Sequence, residues 1–189
     1  MPDTPSRPIA PRAVNHVVLN VRDIEESHRF WTEIIGLRQV GALRATATRP
    51  NPPKMRFYSA AHDGRPSHHD IALMEQPNLP EFPAGAPHQI HHVALALPDR
   101  AAWLAQLAFL QEKGVKFESR VEHGPTHSLY IRDPNGYGVE LLYELPREVW
   151  ENDIDASVNH YVAKPTEGPA ALEDRGENYP VFAAAKTSA

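Results

Sequence analysis

The sequence predicts an α+β fold: two βαβββ modules in tandem, forming one curved mixed sheet around a central cavity. Three observations carry this. NHVVLNVRD at residues 15–23 and HHVALALPD at 91–99 share the pattern His-Val-x-Leu-x-x-x-Asp, offset by 76 residues. Each is followed by a helical pattern that stops at a glycine, Gly36 and Gly114. Three strand-like segments then follow each helix. Self-similarity at a fixed offset is the signature of a repeated supersecondary unit. A four-stranded unit leaves one sheet face open, so two copies are expected to pair or to curl around shared space.

The elements follow in order. Residues 1–13 are proline-rich and are expected to form an N-terminal arm. The domain is expected over 14–145, as module one at 14–76, a linker at 77–88 and module two at 89–145. VNHVVLNV alternates as a strand does, with Val14, His16 and Val18 on one face. Asp23 is placed to cap the helix IEESHRFWTEIIG, whose apolar stripe is Phe30, Trp31, Ile34 and Ile35. Strands are expected near LRQVGALRA, KMRFYSA and HDIALME. The linker carries the proline and glycine of a module boundary. IHHVALAL repeats the first strand, with Ile90, His92, Ala94 and Ala96 on one face. Asp99 is the second cap, and Trp103, Leu107 and Leu110 face one way along AAWLAQLAFLQEKG. Strands near KFESRVEH, SLYIRD and YGVELLYE complete the copy, the last two joined by the turn signal DPNG. Residues 146–189 leave the pattern and are expected to form an acidic C-terminal arm that wraps the body or a neighbouring subunit.

Composition excludes several classes. With no cysteine in 189 residues, there are no disulfides, zinc-thiolate sites or iron–sulfur clusters. A metal must be held by His, Asp, Glu or oxygen donors, and eleven histidines are present. The net charge of −5 falls mostly in residues 146–189, and no basic stripe suits nucleic acid. No apolar run approaches the roughly 20 residues of a membrane helix. MPDTPSRPIAPRA lacks the apolar core of a secretory signal, so a cytoplasmic protein is expected.

The repeated histidines are the chemical signal. A lone strand histidine is more often a hydrogen-bonded core or edge residue than a ligand. Two at matched positions of two copies, His16 and His92, are a different matter, because paired modules would turn both inward. GYGVELLYE offers Glu140 between Val139 and Leu141, where a carboxylate is costly to bury without a partner. Two histidines and a carboxylate suit non-haem Fe(II); Mn(II) accepts the same donors, and spacing does not exclude Zn(II).

At NHVVLNVRDIEESHRFWTEIIGL, SHHDIALM, IHHVALAL and HGPTHSLYIRDPNGYGVELLY, the chain resembles the vicinal oxygen chelate superfamily of glyoxalases, fosfomycin-resistance proteins and extradiol dioxygenases. Over residues 14–145 it is most similar to single-domain type I extradiol dioxygenases. The resemblance implies His16, His92 and Glu140 as metal ligands. It implies His69 as acid/base, with His68 competing for the role, and His123 and Tyr130 as further catalytic residues. Ala72 stands where glyoxalases usually place a fourth ligand, and Glu75 falls on the opposite face by alternation. Placing His69 beside Ala72 needs His69 at the start of its strand or at a bulge. His127 reads as a strand-edge residue, and His28, His62, His88, His91 and His160 as surface or structural.

The implied activity is Fe(II)-dependent cleavage of a catechol ring beside the diol using O₂, in aromatic hydrocarbon catabolism. The implied substrate is 2,3-dihydroxybiphenyl or another substituted catechol. A homo-oligomer is expected, with no nucleic-acid or membrane partner. Two alternatives stay open: a glyoxalase-like metal-dependent lyase or isomerase, and a metal-free small-molecule-binding protein of the same fold. Met55, Phe57, Tyr58 and Met74 are candidates for the pocket wall.

Overall fold

The computed structural model describes residues 11–62, 64–83, 89–176 and 179–182. Outside them lie most of the expected N-terminal arm, His88 with the end of the linker, and the last residues of the C-terminal arm. The chain divides into two units, Met1–Pro80 and Glu81–Ala189. Both are mixed α+β.

In the first unit, strand β1 (Val17–Val21) leads into helix α1 (Ile24–Arg29), which passes directly into a π-helical turn (Phe30–Ile34). Strands β2 (Arg38–Ala42) and β3 (Met55–Ser59), a short hairpin of β4 (Ala61–His62) and β5 (Arg65–Pro66), and β6 (Ile71–Glu75) follow. The sheet order is β1-β6-β3-β2, with β1 parallel to β6 from Val17↔Ile71 to Val21↔Glu75. Leu19, Val21, Ile71, Leu73 and Tyr58 are buried, as is Trp31. Asp23 caps α1, its Oδ1 accepting from the backbone N–H groups of Glu25 and Glu26.

The expected stripe of this helix is corrected. Ile24, Ser27 and Trp31 are the buried residues, whereas Phe30, Ile34 and Ile35 are only half-buried. The Thr32 hydroxyl donates to the His28 carbonyl at 2.7 Å, and Ile35 N–H bonds back five residues to Phe30. A side chain competing for a helical carbonyl favours such a local widening. The extra residue in the turn rotates the later side chains off the buried face.

In the second unit, β7 (His92–Ala96) is followed by α2 (Arg100–Glu112), β8 (Ser119–His123), β9 (Thr126–Arg132) and β10 (Gly138–Glu144). Beyond these lie α3 (Arg147–Trp150), α4 (Ile154–Asn159), β11 (Tyr161–Lys164) and a 3₁₀ turn (Pro169–Leu172). The sheet order is β11-β8-β9-β10-β7, with β7 parallel to β10 and the other pairs antiparallel. Asp99 caps α2 through the Ala102 N–H. Trp103, Leu107 and Leu110 of α2 are fully buried, and each leucine contributes roughly 1.5–3 kcal/mol.

The described part of the C-terminal segment joins this second sheet. β11 pairs with β8 from Tyr161↔His123 to Lys164↔Arg120. Arg120, fully buried and stacked 5.0 Å over Trp103, donates to the carbonyls of Ala171 and Glu173. Among the described residues, no helix is long and apolar enough to cross a membrane.

Candidate metal centre

The second unit brings four of the singled-out residues into one hydrogen-bonded chain. Glu140 on β10 lies opposite Tyr130 on β9 and Ala94 on β7. Its Oε2 is 3.0 Å from His92 Nε2, and its Oε1 accepts from the Tyr130 hydroxyl at 2.9 Å. The Tyr130 oxygen is in turn 3.1 Å from His123 Nε2. Because the Tyr130 proton goes to Glu140, the His123 ring is the donor in that second contact. Alternation puts His92, Glu140, Tyr130 and His123 on one sheet face, the face opposite Val139, Leu141 and Leu129.

Local sequence makes this meeting possible. Gly138 pairs with His92, and a Cβ on Gly138 would stand 2.3 Å from the His91 carbonyl oxygen and 2.9 Å from His92 Cβ. Only a residue without a side chain lets the strands approach here. A cavity of about 260 Å³ opens at the spot, bounded by His91, His92, Ser119, Tyr130 and Gly138.

The electrostatics follow from burial. Burial pushes the Tyr130 phenol well above its ordinary value, and the Glu140 hydrogen bond adds to it. Tyr130 therefore remains a donor at neutral pH. Burial also pushes the His123 imidazole below its ordinary value, against the Glu140 charge and the His160 carbonyl, which act the other way.

These residues fit a divalent ion. Glu140 is buried, and among the described residues its carboxylate bonds His92 and Tyr130 rather than a Lys or Arg. Two donors each about 2.1 Å from an ion, at right angles, stand about 3.0 Å apart. The 3.0 Å between His92 Nε2 and Glu140 Oε2 suits that arrangement, as it suits a direct hydrogen bond. The second carboxylate oxygen stays with Tyr130.

The first unit holds the remaining residues. His16, just before β1, lies with its ring centroid 4.3 Å from that of His69 and 6.2 Å from that of His68. The Phe57 ring centroid is 5.0 Å from that of His69. β6 begins at Ile71, so His69 precedes the strand and escapes its alternation. Burial, then the nearby charges of His16 and His68, lower the His69 pKa below its ordinary value.

Asp70 fixes this corner. Its carboxylate accepts from Ser59 Oγ, Ala60 N–H and Ser67 Oγ, and pairs with His62 Nε2 at 2.9 Å. Its own N–H and C=O bond Tyr58 and Val17. Ala72 is fully buried between Val18 and Phe57. Glu75 is committed elsewhere: its Oε1 takes Lys54 Nζ at 2.7 Å and the Ile24 N–H. Of the pocket candidates, Phe57 flanks His69, while Tyr58 is buried with its hydroxyl 3.1 Å from His28.

His127 is not a strand-edge residue. It sits on central strand β9, 3% exposed, with Nδ1 2.7 Å from Asp174 Oδ1 and 2.8 Å from the Tyr143 hydroxyl. Among the described residues, the group of three His, Asp or Glu side chains with ligand atoms within 4.8 Å of one another is Glu122, His127 and Asp174. They lie on the sheet face opposite Glu140. Lys164 Nζ is 2.7 Å from Glu122, and Arg100 Nε is 2.5 Å from Asp174. Cations already balance these carboxylates, so the group serves as an ion-pair anchor for the C-terminal segment. His91 is exposed, as expected, with its Nδ1 2.8 Å from His92 Nδ1.

Sequence reasoning missed Gly138, Asp70 and the C-terminal strand. A glycine inside a strand pattern was the available signal for the first. The other two depend on partners distant in sequence.

The sequence pattern described as "Glyoxalase/Bleomycin resistance protein/Dioxygenase superfamily" matches residues 13–141. Catechol-2,3-dioxygenase of Bacillus subtilis is 28% identical, covering 76% of this chain and 46% of the relative. Biphenyl-2,3-diol 1,2-dioxygenase 3 of Rhodococcus globerulus is 29% identical, covering 70% and 63%. This chain thus spans about half to two thirds of the length of those relatives. A probable lactoylglutathione lyase of Vibrio parahaemolyticus is 25% identical, covering 67% and 87%. A glyoxalase/dioxygenase structure from Nostoc punctiforme shares the fold, with a TM-score of 0.55 at 22% identity over 76% of this chain and 100% of that one.

Proposed function

This chain belongs to the glyoxalase/bleomycin resistance protein/dioxygenase superfamily, and from that premise we propose that it is an Fe(II)-dependent extradiol dioxygenase. Its substrate is a catechol, cleaved beside the diol with both atoms of O₂ entering the product. The observation that carries the reading is the chain His92–Glu140–Tyr130–His123. In this proposal His16, His92 and Glu140 are the ligands of the metal. Mn(II) would suit the same donors. The dioxygenase relatives support the substrate class, and Ala72 supports open coordination positions, since it offers no donor atom.

Bound there, the ion would supply Lewis acidity to the two diol oxygens and a docking point for O₂. The protein residues do the rest. The Tyr130 hydroxyl holds Glu140 in its ligating orientation and lies beside the position of a diol oxygen. His123 donates from Nε2 to the Tyr130 oxygen and so keeps the Tyr130 hydrogen on Glu140 while the diol ionises. His69, neutral because burial lowers its pKa, takes up a proton and delivers it to an oxygen of O₂ as its bond breaks. The ring-opened product is a yellow semialdehyde or related keto acid.

A lyase is the second reading, favoured by the lactoylglutathione lyase relative. One experiment separates the two. Fe(II)-loaded protein is incubated with catechols in air and under argon, and with the methylglyoxal–glutathione adduct. A yellow product formed only in air is expected, with His69→Ala reducing its rate by about 10²–10⁴. Oxygen-independent isomerisation of the adduct, without ring cleavage, would overturn the proposal.

A further inference from the structure

We propose that Tyr161, on the strand that the C-terminal segment adds to the second sheet, is a specificity-determining residue that packs against an apolar ring substituent of the diol. The inference rests on the catechol reading and assigns the part of the substrate that lies away from the two hydroxyls.

Tyr161 pairs in register with His123, so both side chains leave the same face of the sheet. That is the face of Glu140 and Tyr130. The Tyr161 and His123 rings are 6.0 Å apart at an interplanar angle of 65°. Tyr161 is 63% exposed and is one of the large apolar side chains that the chain leaves open. His92, Tyr130, His123 and Tyr161 thus form a row of rings across one face, beginning at the candidate metal ligands.

Distance decides what Tyr161 can reach. Strands β10, β9, β8 and β11 are consecutive neighbours. Three steps of about 4.8 Å put the Tyr161 strand about 14 Å from that of Glu140. A single ring chelated beside Glu140 falls short of it. A diol carrying a second ring, directed across β9 and β8 over the His123 ring, extends toward Tyr161, whose ring is 6.0 Å from that of His123.

The strand is held firmly enough to serve as a wall. Arg120 grips the carbonyls of Ala171 and Glu173, Lys164 pairs with Glu122, and Asp174 pairs with Arg100 and His127. At its near end, Gly124 N–H bonds the Ser157 carbonyl, with no room for a Cβ between them. An aromatic group fixed in this way loses little freedom when a ligand ring packs on it. Tyr161 also lies outside residues 13–141, so the family pattern carries no information about it.

The test measures binding rather than turnover. Dissociation constants for catechol and 3-phenylcatechol are determined by anaerobic calorimetry on Fe(II)-loaded wild type, Tyr161→Ala and Tyr161→Phe. Tyr161→Ala should weaken 3-phenylcatechol by about 3- to 10-fold, the range of one aromatic contact. Catechol should change by less than about twofold, which also reports that the variant is folded, and Tyr161→Phe should match wild type. Unchanged 3-phenylcatechol affinity in Tyr161→Ala, equal weakening of both diols, or a wild type that binds catechol alone would overturn the role of Tyr161 and leave the catechol reading standing. A wild type that binds neither diol would overturn both.

Discussion

Replacing Tyr130 by phenylalanine removes one hydroxyl from the centre of the candidate site. That hydroxyl donates to Glu140 Oε1 at 2.9 Å and stands 3.1 Å from His123 Nε2. The partner that matters is the carboxylate, because it is buried and its other oxygen faces His92. A hydrogen bond to a charged group contributes about 1.5–3 kcal/mol, or roughly 10- to 150-fold in an equilibrium constant. Partners that orient a metal ligand typically account for about 10–100-fold in metal affinity. The two estimates overlap, so Tyr130→Phe should weaken Fe(II) or Mn(II) binding by about 10–100-fold. The measurement is anaerobic competition against a chromophoric chelator. Tyr143→Phe is the control: it is a buried tyrosine that donates to a carboxylate, Asp174, on the opposite face. It should leave metal affinity unchanged. A loss below about threefold in Tyr130→Phe, or an equal loss in both variants, would refute the assignment of Glu140 as a ligand held by Tyr130.

Gly138→Ala places a methyl group 2.3 Å from the His91 carbonyl oxygen, so β7 must move relative to β10. A stability cost of about 1–3 kcal/mol is expected, with weaker metal binding as His92 and Glu140 separate; unfolding and chelator competition on the same variant report both. Asp174→Ala strips a partner from His127 and Tyr143, both nearly buried, and should cost about 3–5 kcal/mol in urea unfolding. The wild-type pH profile has a definite sign. Burial raises the Asp174 pKa, but hydrogen bonds from His127 and Arg100 outweigh it and hold the carboxyl well below its ordinary 3.8. Its stabilisation is therefore complete above that value and fades as pH falls below it. The acid loss of stability below about pH 4 should shrink in Asp174→Ala.

The sequence by itself determined most of the elements over residues 14–145 and which strand side chains share a face. The period of two put His92 and Glu140 in strands with an apolar opposite face, and the caps Asp23 and Asp99 marked both helix starts. These are local properties, set by backbone geometry and by neighbours a few residues away. The helix after Asp23 shows the limit even of local reading, because the π-helical turn in which Thr32 bonds the His28 carbonyl keeps Trp31 buried and leaves Ile34 and Ile35 only half-buried. Tertiary structure alone decided the rest. It buried His127 against Asp174, 47 residues away, and gathered Ser59, Ala60, His62 and Ser67 around Asp70. It also turned residues 161–164 into a fifth strand beside His123. Hydrogen bonds and ion pairs between distant residues leave no period in the sequence, because only folding brings the partners together.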